Sequence, residues 1–117
     1  MSDDSQLTIK VDNFKKVDLV TTSGRIDSSN AAEFDEVLKE LMHGGQHHIV
    51  INMADINYMS SAGLRTLVSA LRECKKKKGD VRLSSPSERV KEVLDLSGLY
   101  SMFTTYPTDV EAIDSFN

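Results

Sequence analysis

Apolar and polar positions alternate from Leu7 to Val11 with a period of two, the pattern of a half-buried strand. Asp12 and Asn13 supply turn chemistry. Val17 to Ser23 is a second β-rich run, and Gly24 breaks it. A connection this short predicts an antiparallel hairpin. The period then lengthens: Ala31, Phe34, Leu38, Leu41 and Met42 fall on one face at helical spacing. Asn30 and Glu33 stand where a capping box places its two members, and Gly44 with Gly45 stops the helix. His48 to Asn52 is a nearly continuous apolar run, as in a strand covered on both faces.

A second helical stripe follows at Leu64, Leu67, Val68 and Leu71, and it begins at the pair Ser60 and Ser61. Lys75 to Lys78 crowd its C-terminal end and Gly79 terminates it. Val81 to Ser84 is another short strand. Ser85-Pro-Ser-Glu88 orders a cap, a first-turn proline and a capping-box acid ahead of Val90, Val93 and Leu94, and Gly98 closes that helix. Tyr100 to Thr105 reads as a last strand, and Thr108 with Glu111 opens a final helix carrying Val110, Ile113 and Phe116. The order is ββαβαβαβα. It predicts an α/β fold in one domain, residues 1–117 with a core of about 7–113. The sheet is mixed and mostly parallel, with an N-terminal antiparallel hairpin and about four helices.

Composition narrows the function. Hydrophobic residues are 39% and charged residues 27% of the 117, a globular rather than a disordered balance. The net charge of −4 offers no basic surface for nucleic acid and fits a protein partner better. The single cysteine, Cys74, forms no internal disulfide and suits a reducing compartment. The start of the chain, Met1-Ser-Asp-Asp-Ser-Gln6, is polar and acidic, unlike a signal peptide. No apolar run approaches the roughly 20 residues of a membrane span. A soluble cytoplasmic protein is expected, a monomer or weak dimer, with no membrane, nucleic acid, metal or cofactor among its associates.

The candidate chemistry centres on Ser60 and Ser61. A helix start carries unpartnered N–H groups and the positive end of the helix dipole, so it accepts a doubly negative group. Serine is also a preferred cap, and a cap needs no further purpose. On local chemistry alone both readings stand: one serine caps, and the other is free to point outward beside the small residues Ala62 and Gly63. A catalytic serine is not supported. The hydrolase elbow needs Gly-x-Ser-x-Gly and the segment here is Met59-Ser-Ser-Ala-Gly63, with no suitably placed base. His43, His47 and His48 cluster around a glycine turn, with no zinc-ligand spacing, and read as a solvated turn. Lys75 to Lys78 read as a solvated helix end, Cys74 as a partly buried small hydrophobe, and no Gly-rich nucleotide cradle occurs. Asp55, at the end of the third strand, is a weaker candidate for an aspartyl phosphoacceptor of the receiver type, which lacks its acidic pair and its lysine here.

Ile51-Asn-Met-Ala-Asp-Ile-Asn-Tyr-Met-Ser-Ser-Ala-Gly-Leu-Arg-Thr-Leu67 closely resembles the signature of the STAS domain, in its bacterial form as an anti-sigma-factor antagonist. Gly24-Arg-Ile-Asp27 followed by Asn30-Ala-Ala-Glu-Phe34 is similar to that family's second segment, and Val93-Leu-Asp-Leu-Ser-Gly-Leu99 to its third. The resemblance runs from about Leu7 to about Ile113. It implies a binding module, not an enzyme, whose phosphoacceptor is Ser61, with Ser60 as the alternative because many relatives carry aspartate there. It implies a partner that is both anti-sigma factor and ATP-dependent serine kinase, and a metal-dependent serine/threonine phosphatase that reverses the modification. The unmodified form would bind the kinase and release a sigma factor. Asp27, Ser28, Asn30, Met59, Ser60, Ser61 and Arg65 would lie on or beside the docking face. A signalling scaffold without phosphorylation control is the alternative function.

Overall fold

The computed structural model describes residues 6–117; the acidic stretch 1–5 lies outside the described residues. Its elements are β1 (Leu7–Phe14), β2 (Val17–Ile26), α1 (Ala31–His43), β3 (His48–Met59), α2 (Ser61–Lys76), β4 (Asp80–Ser84), α3 (Glu88–Leu96), β5 (Thr105–Tyr106) and α4 (Asp109–Asp114). The strands lie in sequence order, β1-β2-β3-β4-β5. The first pair is antiparallel and the other three are parallel, so each later strand returns through a helical crossover.

Two apolar clusters sandwich this sheet. On one face Phe34 and Leu38 of α1, Leu67 and Leu71 of α2, and Val90 and Leu94 of α3 pack with Val20, Ile49, Ile51, Val81 and Leu83. On the other face α4 and the residues after it set Ala112, Ile113 and Phe116 over Val17, Leu19 and Val50. Asp109 fastens α4: one oxygen of its carboxylate accepts from Asn52 Nδ2 at 2.8 Å and from Ser84 Oγ at 2.6 Å.

Several local expectations shift. The hairpin turn is Lys15-Lys16, with Phe14 opposite Val17, and not Asp12-Asn13; both of those residues are in β1. Lys15 takes the left-handed φ of 61° that a tight hairpin turn requires. Gly24 does not end β2. It lies within the strand at φ 106°, and a side chain there would run into the carbonyl of Gln6. β3 continues to Met59, past Asn52 and past Asp55, which is exposed within the strand rather than at its end. β3 carries one extra residue between Asn52 and Asp55 and another between Ile56 and Tyr58 relative to β2, and buried Ile56 and Met59 fall three apart. That spacing hides the strand from a period of two.

The caps also differ. Ser87, not Ser85, caps α3 and accepts from Val90 N at 3.2 Å. Lys78, not Gly79, takes the left-handed conformation after α2. The stretch Tyr100 to Thr105 is a 3-10 turn, Tyr100–Met102, before a two-residue β5. Val110 is exposed, and Ala112 takes its place in the core. Cys74 is wholly buried. Burial, followed by the nearby charges of Asp80 and Glu73, pushes its thiol pKa up to about 11, so it stays protonated at neutral pH.

Gly24→Ala should lower stability by about 2 kcal/mol, through strain at positive φ and the clash with Gln6. Urea unfolding reads this directly, and an unchanged midpoint would show that the backbone relaxes there.

Candidate functional site

Parallel strands leave their crossover loops at their carboxyl ends, and such ends are where α/β sheets build sites. β2 and β3 finish level with one another, Ile26 beside Met59. The next residue, Ser60, donates its N–H to Ile26 O at 2.9 Å. That bond sews the start of the β2–α1 loop to the start of α2. Asp27, Ser28, Asn30, Ser60 and Ser61 therefore emerge from one end of the sheet.

The β2–α1 loop is held by its own polar groups. Asn30 Oδ1 accepts from Asp27 N at 2.9 Å, and its Nδ2 donates to Arg25 O at 3.0 Å. Asn30 thus precedes α1 without capping it, and the expected box with Glu33 does not form. The Asp27 carboxylate accepts the Ser29 hydroxyl at 2.5 Å and the Ser29 N–H at 2.9 Å. Its other oxygen meets Arg25 Nε at 3.4 Å, and the Arg25 guanidinium lies 4.3 Å above the Tyr58 ring. The Ser29 hydroxyl and then the Ser29 amide hold the Asp27 carboxyl below the usual aspartate range against the opposing effect of desolvation, with Arg25 adding less.

At the start of α2 the two serines divide. Ser60 is the N-cap, at φ −89° and ψ 174°, and its hydroxyl accepts from Gly63 N at 3.4 Å. Ser61 is the first helical residue and is exposed. Among the described residues nothing in the protein bonds its hydroxyl. Arg65, also exposed, is four residues on and shares its face of the helix. The first turns of α1, α3 and α4 each carry an acid, at Glu33, at Glu88, and at Asp109 with Glu111. The first turn of α2 carries none. Among the four α-helices described, α2 alone opens without an acid, and Ser61 stands over that end.

Gly63 sets the height of this turn. A Cβ there would stand 2.7 Å from Ile26 Cγ2 and 3.0 Å from Met59 Cγ. Met59 itself is 3% exposed. It lies beneath the surface rather than on it, because the register shifts aim it into the core. From Ser61 a groove of about 620 Å³ runs along α2, lined by Leu64, Arg65, Val68, Arg72 and Leu99 among others. The sequence reading missed Ser29, although the Asp-x-Ser spacing of Asp27 and Ser29 is a known turn-forming pattern, and it took Gly63 only as a small neighbour of Ser61, not as the close contact with Ile26 and Met59.

Elsewhere, His48 stacks on Phe116 at 4.8 Å, and among the described residues no three His, Cys, Asp or Glu side chains gather as metal ligands. No described helix is long and apolar enough to cross a membrane.

A mixed five-stranded sheet with an antiparallel edge, and a serine pair where the third strand meets its helix, defines a STAS-type binding domain. The STAS domain family matches residues 8–112, and the chain belongs to that family, among the anti-sigma factor antagonists. It is 30% identical over 105 residues to an anti-sigma-B factor antagonist of Staphylococcus epidermidis, spanning 89% of this chain and 94% of that protein. It is 25% identical over 108 residues to an anti-sigma F factor antagonist of Paenibacillus polymyxa, with 92% of each covered. The solved structure of an anti-sigma factor antagonist from Mycobacterium paratuberculosis shares the fold at a TM-score of 0.86, with 23% identity over 97% of this chain and 96% of that one. Unphosphorylated SpoIIAA shares it at 0.82, with 22% identity over 93% and 96%.

Two outcomes are expected. Gly63→Ala gains about 1 kcal/mol of helix propensity but forces the first turn against a packed core, which costs about 1–3 kcal/mol. The net effect should be destabilising and should lift α2, which thermal unfolding and the Ser61 amide shift would report. Because the Asp27 pKa is depressed on folding, its hold on the loop is complete above the ordinary aspartate range and is lost as pH falls through the lowered value. The Ser29 amide resonance should therefore titrate with a midpoint below 3.8, and a midpoint at or above it would remove Ser29 as the cause.

Proposed function

We propose that this chain is a phosphorylation-switched anti-sigma factor antagonist whose acceptor is Ser61. In this reading the unmodified form docks on an anti-sigma factor that is also a serine kinase and frees the sigma factor. The kinase transfers phosphate from ATP to Ser61, and a metal-dependent serine/threonine phosphatase restores the binding form. The observation that carries the choice of serine is the division of labour at the helix start: Ser60 is occupied as the cap, whereas Ser61 is exposed above uncompensated amides.

The physical consequence follows from charge. A phosphoryl group adds about −1.5 to −2 charges and three strong acceptor oxygens. The start of α2 offsets part of that, and Arg65 is within reach one turn along, so the fold need not change. The docking face does change. Asp27, Ser28, Asn30, Ser60, Ser61 and Arg65 present small or polar groups around a helix start, with Met59 supporting them from below. A dianion pressed into a partner surface without full pairing costs several kcal/mol. A penalty of about 4 kcal/mol lowers affinity about a thousandfold. The chain acts by binding, and the chemistry belongs to its partners.

Incubation with ATP and the cytosol of its own source cell, read by intact mass and peptide mapping, tests the acceptor. Wild type and Ser60→Ala should gain one phosphate on Ser61, and Ser61→Ala should gain none. Ser61→Ala should still capture the kinase, whereas Ser61→Asp should bind it at least tenfold more weakly. Phosphate on Ser60 in the wild-type chain would move the acceptor. No phosphate anywhere, with equal capture by both Ser61 variants, would favour a scaffold that phosphorylation does not control.

A further inference from the structure

Among the described residues β1 is the outer strand of the sheet and bonds only to β2. Its eight residues pair in unbroken register, from Leu7 opposite Gly24 to Phe14 opposite Val17, with no bulge and no proline. Outer strands are ordinarily blunted by such features, since a row of free N–H and C=O groups invites another strand. Two large apolar residues stand exposed on this strand: Val11, 40% exposed, and Phe14, 47%.

The free groups can be assigned. A two-residue turn closes on a hydrogen-bonded pair, here Phe14 with Val17. Alternation then commits the backbone groups of Phe14, Asp12, Lys10 and Thr8 to β2. Those of Ile9, Val11 and Asn13 point outward. Lys10 and Asp12 sit on the opposite face of the strand from Val11, joined at 3.7 Å, with their side chains 73% and 41% exposed.

We propose that this edge is a self-association surface. Two copies of the chain pair antiparallel through residues 9–13, about a two-fold axis at Val11, into one continuous sheet. Only outward-pointing residues can exchange bonds across the axis, so the pairing moves in steps that place Lys10, Val11 or Asp12 on the axis. With Lys10 there, like charges face each other, and with Asp12 there they do so again. With Val11 on the axis, each Lys10 faces the other copy's Asp12, and the four side chains form a square of alternating sign. Ile9 then exchanges bonds with Asn13 of the second copy, Val11 with its own counterpart, and Phe14 covers Thr8. The charges that deter an unrelated strand are complementary to a second copy of this one. The contact is isologous, as a closed dimer requires. It leaves α2 uncovered, because β2 separates β1 from β3, the strand that leads into α2.

A single strand pair buries little surface, so the dimer is weak, half-associated at about 100 µM. Sedimentation equilibrium over a concentration series should show it. Asp12→Lys should weaken association at least tenfold, and so should Lys10→Asp, with thermal melting confirming that each is folded. The double exchange Lys10→Asp with Asp12→Lys restores the alternating square and should restore the wild-type constant. Independently of any variant, amide exchange at Ile9, Val11 and Asn13 should slow with rising concentration, while Lys10 and Asp12, already bonded to β2, should not respond. A wild-type chain that is monomeric at about 1 mM, a double exchange that stays monomeric, or concentration-dependent protection confined to other strands would overturn the proposal.

Discussion

The equal finish of β2 and β3 is the constraint on which the rest of the site depends. Parallel strands that end at one level deliver two loops to one place, and the Ser60 N–H bond to Ile26 O fixes the distance between them. Close approach of α2 then requires Gly63, because any side chain would meet Ile26 and Met59. The cap, the exposed hydroxyl and the loop acid follow from this contact between a strand end and a helix start.

The fold was legible where periodicity was clean. The helix stripe Ala31, Phe34, Leu38 and the stripe Leu64, Leu67, Leu71 are buried where their spacing put them. The antiparallel hairpin followed from a short connection, and the parallel crossovers from the alternation of strands with helices. Legibility failed where tertiary pairing overrides local pattern. The far half of β3 pairs with β2 only through two extra residues of its own, and no window of the sequence contains that information. Asp18 is a further case: its side chain is 3% exposed within β2 and is held by Asn13 of β1, a contact only the hairpin register reveals.

At the candidate site, where residues are placed was more legible than what they contact. Ser61 emerges exposed and Ser60 caps, the two roles a helix start offers to a pair of serines. Asn30 looked like a cap and is instead a brace between Arg25 and Asp27, because its amide can give and accept at once while a helix cap only accepts. Met59 looked like surface because of its neighbours in sequence and is core because of its neighbours in space.

The acid-free first turn of α2 has one more consequence. Each of the other α-helices described opens with a carboxylate of its own, whereas the longest opens neutral. A dianion seated there would strengthen the element that carries it while making that element less welcome to an associate. Conformational integrity and sociability would then respond to one chemical event in opposite directions, so turning the association off need not leave a weakened molecule behind.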